Sequence, residues 1–214
     1  MELSEMTDWM KWHENYDNPD SSYSRRLVTV RKRIAEALDR FPAGMIRVAS
    51  MCAGDGRDLL GVLQSHARAR DVSGRLVEWD QQLAERARAS APSSIEVLCG
   101  DAGNSDAYDS IAPVNLLLCC GVFGNITERD IRNTIDAWPM LCAPKATVIW
   151  TRGSFEFDLR PQIRQWVRLA GFEELSFDGE NEKFGVGVAK MIRAAEPYRR
   201  GIQFFSFTPE KRGC

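Results

Sequence analysis

The stretch VASMCAGDGRDLL, residues 48–60, runs from an apolar segment into a loop of small residues and then into a helix-like pattern. Gly54 and Gly56 let the backbone turn through conformations closed to other residues and pass close to a ligand. Asp55 stands between them, a carboxylate in a loop that would repel a phosphate. Three further stations follow apolar segments in the same way. Glu78 stands next to last in GRLVEW, Asp101 and Ala102 lie in CGDA after SIEVLC, and Cys120 closes VNLLLCC as Gly121 opens GVFGNIT. A carboxylate at Glu78 suits the paired hydroxyls of a ribose, and one at Asp101 suits the amino group of an adenine. The chemistry these residues suggest is recognition of an adenosine.

Those stations need a scaffold, and the chain supplies an alternating one. MIRVASM, GRLVEW, SIEVLC, VNLLLCC and ATVIWT read as strands, the fourth apolar on both faces as a central parallel strand must be. Helices are expected between them. Leu59, Leu60, Val62 and Leu63 form one inner stripe, and Leu83, Ala84 and Ala87 a second. Thr127 with Asp130 caps a third helix that buries Ile131, Ile135 and Trp138. A fourth starts at Leu159 and stops at Gly171. FEELSF, VGVAKMI and IQFFSF follow with no helix between them and are expected to pair antiparallel. Residues 202–207, the last of these, either lie on the sheet or fold back over the site. The expected fold is α/β, a doubly wound, mostly parallel seven-stranded sheet with helices on both faces and an antiparallel C-terminal edge ribbon. Residues 1–44 read as a helical, aromatic lid, with Leu27, Val30, Ile34 and Leu38 at helix spacing in 24–40. Residues 45–214 read as the globular domain.

The order and spacing of VASMCAGDGRD, LVEWDQQLAERAR, VLCGDA and LLLCCGVFGNI resemble the class I S-adenosylmethionine-dependent methyltransferases, over about residues 45–180. The resemblance implies a Rossmann-like domain with S-adenosylmethionine as cofactor. Ala53, Gly54, Asp55 and Gly56 would line its methionine part, Glu78 its ribose, Asp101 and Ala102 its adenine, and Cys120 and Gly121 the region near the sulfonium. A cationic sulfur and an ammonium group tolerate an acid nearby, which accounts for Asp55 better than a dinucleotide does. Aligned on Gly54 and Gly56, the chain departs from the family pattern at Ser50, where an acid is usual, and at Cys52, where the first glycine is usual. Asp58 offers a neighbouring carboxylate or a plain helix cap.

The reaction is less legible. The loop after the fourth strand lacks the proline-rich run common in nucleic-acid amine methyltransferases, and the formal net charge is -2. The expected substrate is therefore a small molecule, with no nucleic acid and no membrane as partner; an oligomer or partner subunit is compatible. Candidate catalytic residues are His13, Tyr16, Asn125 and Arg152: a base, a lid aromatic, an acceptor-orienting amide and an anion-binding guanidinium. Trp9, Trp12 and Tyr23 would join Tyr16 in the lid. Arg25 and Arg26 read as a solvated helix face or, alternatively, as cations facing an anionic substrate, and His66 as solvent-facing. Six cysteines without a CxxC pair, and only two histidines, argue against metal and for reduced thiols. The polar, acidic start is unlike a signal peptide, so a cytoplasmic location is expected. The alternatives to methyl transfer are a relative of this fold repurposed for elimination, cyclisation or ring closure, and a non-catalytic scaffold subunit.

Overall fold

A computed structural model describes residue 16 and residues 18–154 and 157–207. Trp9, Trp12 and His13 lie outside the described residues. Helix α1 (Ser22–Arg40) opens the described chain, two residues ahead of the apolar periodicity, because Ser21 caps it by accepting from the Ser24 N–H at 3.0 Å. Val30, Ile34, Ala37 and Leu38 form its buried stripe. Arg33 fastens it to the far edge of the sheet, with Nε and Nη2 each 2.6 Å from a carboxylate oxygen of Asp178.

Then come β1 (Ile46–Met51), α2 (Leu59–Leu63), β2 (Val72–Glu78), α3 (Gln81–Ser90), β3 (Ile95–Cys99), β4 (Val114–Cys119), α4 (Glu128–Leu141), β5 (Cys142–Gly153), α5 (Arg160–Leu169), β6 (Phe172–Asp178) and β7 (Phe184–Met191). The seven strands order as β3-β2-β1-β4-β5-β7-β6. β1 to β5 are parallel, and β7 runs antiparallel to both β5 and β6. Strand alternation divides the core between the two faces. Val48, Leu76, Leu116 and Ile149 meet α1, α2 and α3; Met51, Val77, Leu117 and Val148 meet α4 and α5. The strand order reverses between β1 and β4, so a crevice opens there at the carboxyl ends of the parallel strands. Close pairing of β1 and β2 requires Gly74, where an added Cβ would lie 1.9 Å from the Val48 carbonyl oxygen.

The segment 202–207 is not a sheet strand. It leaves β7, crosses to the opposite end of the sheet and touches the β3 side through a single bridge, Asn104 to Gln203. Phe204 and Phe205 are both buried there. Both join the same core cluster, whereas consecutive residues of a regular sheet strand point to opposite faces. The strap is anchored by Phe204 N–H to the Gly103 carbonyl (2.7 Å), Ser105 N–H to the Ile202 carbonyl (2.8 Å) and Tyr198 Oη to the Ser105 carbonyl (2.6 Å).

Candidate active site

A cavity of about 580 Å³ occupies the crevice. The loop after β1 forms its floor. Gly54 and Gly56 have φ of 59° and 74°, and Cys52, where the family pattern has glycine, also takes a left-handed φ of 50°. The loop is stitched to the end of β2 by Ala53 N–H to the Val77 carbonyl (2.9 Å) and by Gly54 N–H to Glu78 Oε2 (2.7 Å). Glu78 Oε1 accepts from the Asp80 N–H at 2.9 Å. Glu78 is 7% exposed and has no ion pair among the described residues. Burial raises its pKa, and the Asp80 and Gly54 N–H groups pull it back.

Beyond Glu78 the wall continues through Trp79, 67% exposed, and Asp80, whose Oδ1 caps α3 by accepting from Gln82 and Leu83 N–H groups. Asp101 faces them. Its Oδ1 accepts from the Gly103 N–H at 2.8 Å, and its Oδ2 from Gln203 Nε2 of the strap at 3.0 Å. Ser206 and Phe207, the last described residues of that strap, complete this end of the cavity.

The other end is built by Tyr16, α1 and the loops after β1 and β4. Asp58 lines it while capping α2, accepting from the Leu59 N–H at 2.6 Å. Burial, first, and the nearby Asp55 raise its pKa, against a pull from the Leu59 N–H. The Tyr16 hydroxyl accepts from Arg26 Nη2 at 2.6 Å, and the Arg57 guanidinium sits 4.7 Å from the Tyr16 ring centre. Burial raises the Tyr16 pKa, with Arg26 opposing. Gly121, at φ 77°, donates its N–H to Thr151 Oγ1 (2.8 Å), and its carbonyl accepts from Asn125 Nδ2 (2.7 Å). Burial pushes the Cys52 and Cys120 thiols well up, which keeps them as neutral thiols rather than nucleophilic thiolates.

Of the residues singled out in the sequence, Ala53, Gly54, Glu78, Asp101, Cys120, Gly121, Tyr16 and Asn125 meet on this one cavity. Others are placed elsewhere. Asp55 turns away: its carboxylate takes the Arg57 side chain, Nη2 to Oδ2 at 2.6 Å, and lines a smaller recess of about 170 Å³ on the outer side of the loop. Gly56 is a packing position, where a Cβ would strike Leu60 and Leu76 at 2.7 and 2.8 Å. Ala102 is buried, its carbonyl accepting from the Tyr108 hydroxyl. Arg152 is 6% exposed on β5 and does not line the cavity; burial lowers its pKa and Asp158 opposes that. Phe123, in GVFGNIT, expected at the deepest part of the cleft, is instead a core residue stacked on Trp138. His66 is largely covered, with Nδ1 accepting from the Arg68 N–H. His13 lies outside the described residues. The sequence reading gave no site role to Arg57, Trp79, Ser206 or Phe207. Adjacency to Glu78 was the signal for Trp79; for 202–207 the sequence left two paths open, on the sheet or back over the site, and the structure takes the second. Among the described residues no group of histidine, cysteine, aspartate or glutamate could hold a metal ion, and no helix is long and apolar enough to cross a membrane.

No protein-family profile matches the chain, and no curated protein does. Solved structures do match. The CurJ carbon methyltransferase superposes with a TM-score of 0.68 at 14% identity, covering 87% of this chain and 59% of that one. Magnesium protoporphyrin IX methyltransferase from Synechocystis PCC 6803, solved with bound S-adenosylmethionine, gives 0.63 at 12% identity, covering 86% and 91%. The N-methyltransferase NodS from Bradyrhizobium japonicum WM9 gives 0.59 at 11% identity, covering 82% and 100%. The fold is that of the class I S-adenosylmethionine-dependent methyltransferases.

Proposed function

We propose that the cavity binds S-adenosylmethionine and that the protein transfers its methyl group to a small-molecule acceptor. One observation carries the reading: Gly54, Glu78, Asp101, Cys120 and Gly121, at the carboxyl ends of four separate strands, line a single cavity at the β1/β4 crevice. The donor set suits the cofactor. Glu78 is a buried carboxylate with no cation opposite it, and each of its oxygens has capacity left to accept from a ribose hydroxyl. Asp101 is held in place to accept from an adenine amino group. Four carboxylates on the described wall outnumber two guanidiniums, which disfavours a pyrophosphate and favours a cationic ligand. The volume fits a small-molecule site.

S-adenosylmethionine, when bound, supplies an electrophilic methyl group on a cationic sulfur. The protein's part is to hold, align and dehydrate. Glu78 and Asp101 fix the nucleoside end. Asp58 places negative charge at the opposite end, beside Cys120 and Gly121. Tyr16 and Asn125 flank that end and orient the acceptor, while Leu27 and Val30 of α1 exclude water from it. Tyr16 and Cys120 are kept protonated by burial, which leaves Asp58 to receive a proton from the acceptor. Cysteine usage supports a cytoplasmic setting.

Calorimetric titration with S-adenosylmethionine tests the reading. Binding is expected, and none at high micromolar donor sinks it. Glu78→Ala should cost about 1.5–3 kcal/mol for each charged hydrogen bond lost; normal binding by that variant refutes the ribose assignment. Binding without release of S-adenosylhomocysteine across an acceptor panel would favour a non-methylating reaction on the same scaffold.

A further inference from the structure

Arg26 and Arg57 are the two guanidiniums on the described cavity wall, and they are partnered differently. Arg57 is matched by Asp55 at 2.6 Å. Arg26 has no carboxylate within ion-pair distance among the described residues; its side chain makes one hydrogen bond, to the neutral Tyr16 hydroxyl. Neighbouring arginines on α1 are paired away from the cavity, Arg25 with Glu182 at 3.3 Å and Arg33 with Asp178 at 2.6 Å. Arg31 has no ion pair either among the described residues, but its guanidinium is taken up by the Arg57 carbonyl and does not line this cavity, so Arg26 is the α1 cation that faces it without a carboxylate.

Arg26 is also held in position. Its guanidinium carbon lies 5.9 Å from the Tyr16 ring centre and 5.3 Å from that of Tyr23, and those two rings pack edge to face at 5.9 Å. Apolar Leu27 and Val30 adjoin it on the wall. A half-buried cation is costly to desolvate unless a ligand or a side chain answers it. The guanidinium's remaining N–H groups form the flat fork that fits a carboxylate.

We propose that Arg26, braced by Tyr16 and Tyr23, is the receptor for a ligand carboxylate at the end of the cavity opposite Asp101. The proposal deepens the methyltransferase reading and rests on it for the identity of the cavity. A carboxylate there has two sources, the amino-acid end of the methyl donor or an acidic acceptor bound beside it.

Two titration arms separate these sources. The first compares S-adenosylhomocysteine with methylthioadenosine, which has the nucleoside and sulfur but no amino-acid carboxylate. The second compares benzoate with benzamide on protein saturated with S-adenosylhomocysteine. Arg26→Gln is expected to weaken a carboxylate ligand by about tenfold or more. If the loss falls on S-adenosylhomocysteine and spares methylthioadenosine, the donor supplies the carboxylate. If it falls on benzoate, with benzamide not bound by either protein, the acceptor does. Arg25→Gln, an equal change of charge on the same helix outside the cavity, should alter neither. The proposal is overturned if Arg26→Gln leaves both carboxylate ligands unaffected, or if methylthioadenosine loses as much affinity as S-adenosylhomocysteine. Arg26→Lys, which keeps the charge and loses the fork, decides the matter by the same comparison should the glutamine variant not fold. Wild-type protein that binds neither adenosine compound sinks the donor reading separately; the benzoate arm on ligand-free protein then still tests Arg26.

Discussion

Glu78 and Asp58 show how burial and ligand charge oppose one another within a single residue. Burial raises both carboxyl pKa values, so the ligand-free fold holds these protons more tightly than an exposed carboxyl does. Their contribution to stability is then full below the ordinary carboxylate range, about pH 4, and is lost as pH rises through the elevated folded values. Binding has the opposite sign, because ribose hydroxyls and a sulfonium favour the ionised carboxylates. Donor affinity should therefore fall as pH drops from neutral through the raised folded values, while these groups stabilise the ligand-free protein more. Calorimetry and thermal melts across that range would show it, and Asp58→Asn should flatten both profiles. An Asp58→Asn protein with the wild-type pH dependence in both measurements would sink the idea. At this scale the sequence was partly legible. Glycines and acids at strand ends announce themselves by type and spacing, so Gly54, Glu78 and Asp101 could be picked out. Which way a side chain points is a property of three dimensions. Asp55 sits between two glycines in sequence, yet Arg57, two residues on, draws its carboxylate to the outer side of the loop.

Elements were legible where their signals are local. Thr127 caps α4 by accepting from the Asp130 N–H at 3.1 Å, and Gly171 ends the turn after α5 at φ 87°. Each follows from a few adjacent residues. The strap was legible only as one of two alternatives, because IQFFSF has the composition of a strand and its destination is set by contacts with residues about a hundred positions earlier, such as Asp101, Gly103 and Ser105. That element carries a prediction of its own. Gln203 Nε2 donates to Asp101 Oδ2 and to the Phe205 carbonyl, and Gln203 Oε1 accepts from Asn104 Nδ2. Gln203→Ala should loosen Asp101, weakening S-adenosylhomocysteine binding roughly threefold to tenfold. It should also narrow the preference for that ligand over S-inosylhomocysteine, which lacks the adenine amino group. Unchanged discrimination, measured by competitive titration, would mean that the strap does not orient Asp101.

At the scale of the whole molecule, the alternation of strands and helices gave the parallel half of the sheet, and the pair FEELSF and VGVAKMI gave its antiparallel edge. The strand order, β3-β2-β1-β4-β5-β7-β6, rests on crossovers that no local pattern records. The site joins loops from several strands to α1 and the strap, so occupancy should be felt throughout. At a hundredfold excess over Kd, S-adenosylhomocysteine should stabilise the fold by about 2.7 kcal/mol and raise Tm by roughly 5–10 °C. Hydrogen exchange should slow together in the Cys52–Gly56 loop and the strap. Slowing of the loop alone would show that the two are not one unit. The strap also has a bearing on biosynthesis. A nascent chain whose parallel strands have all left the ribosome still lacks Ser206 and Phe207, the wall at the nucleoside end, and the partner that steadies Asp101. The pocket is thus completed by residues made after every strand of the sheet, and an emerging chain gains its full grip on an adenosine ligand only after the sheet itself has been synthesised.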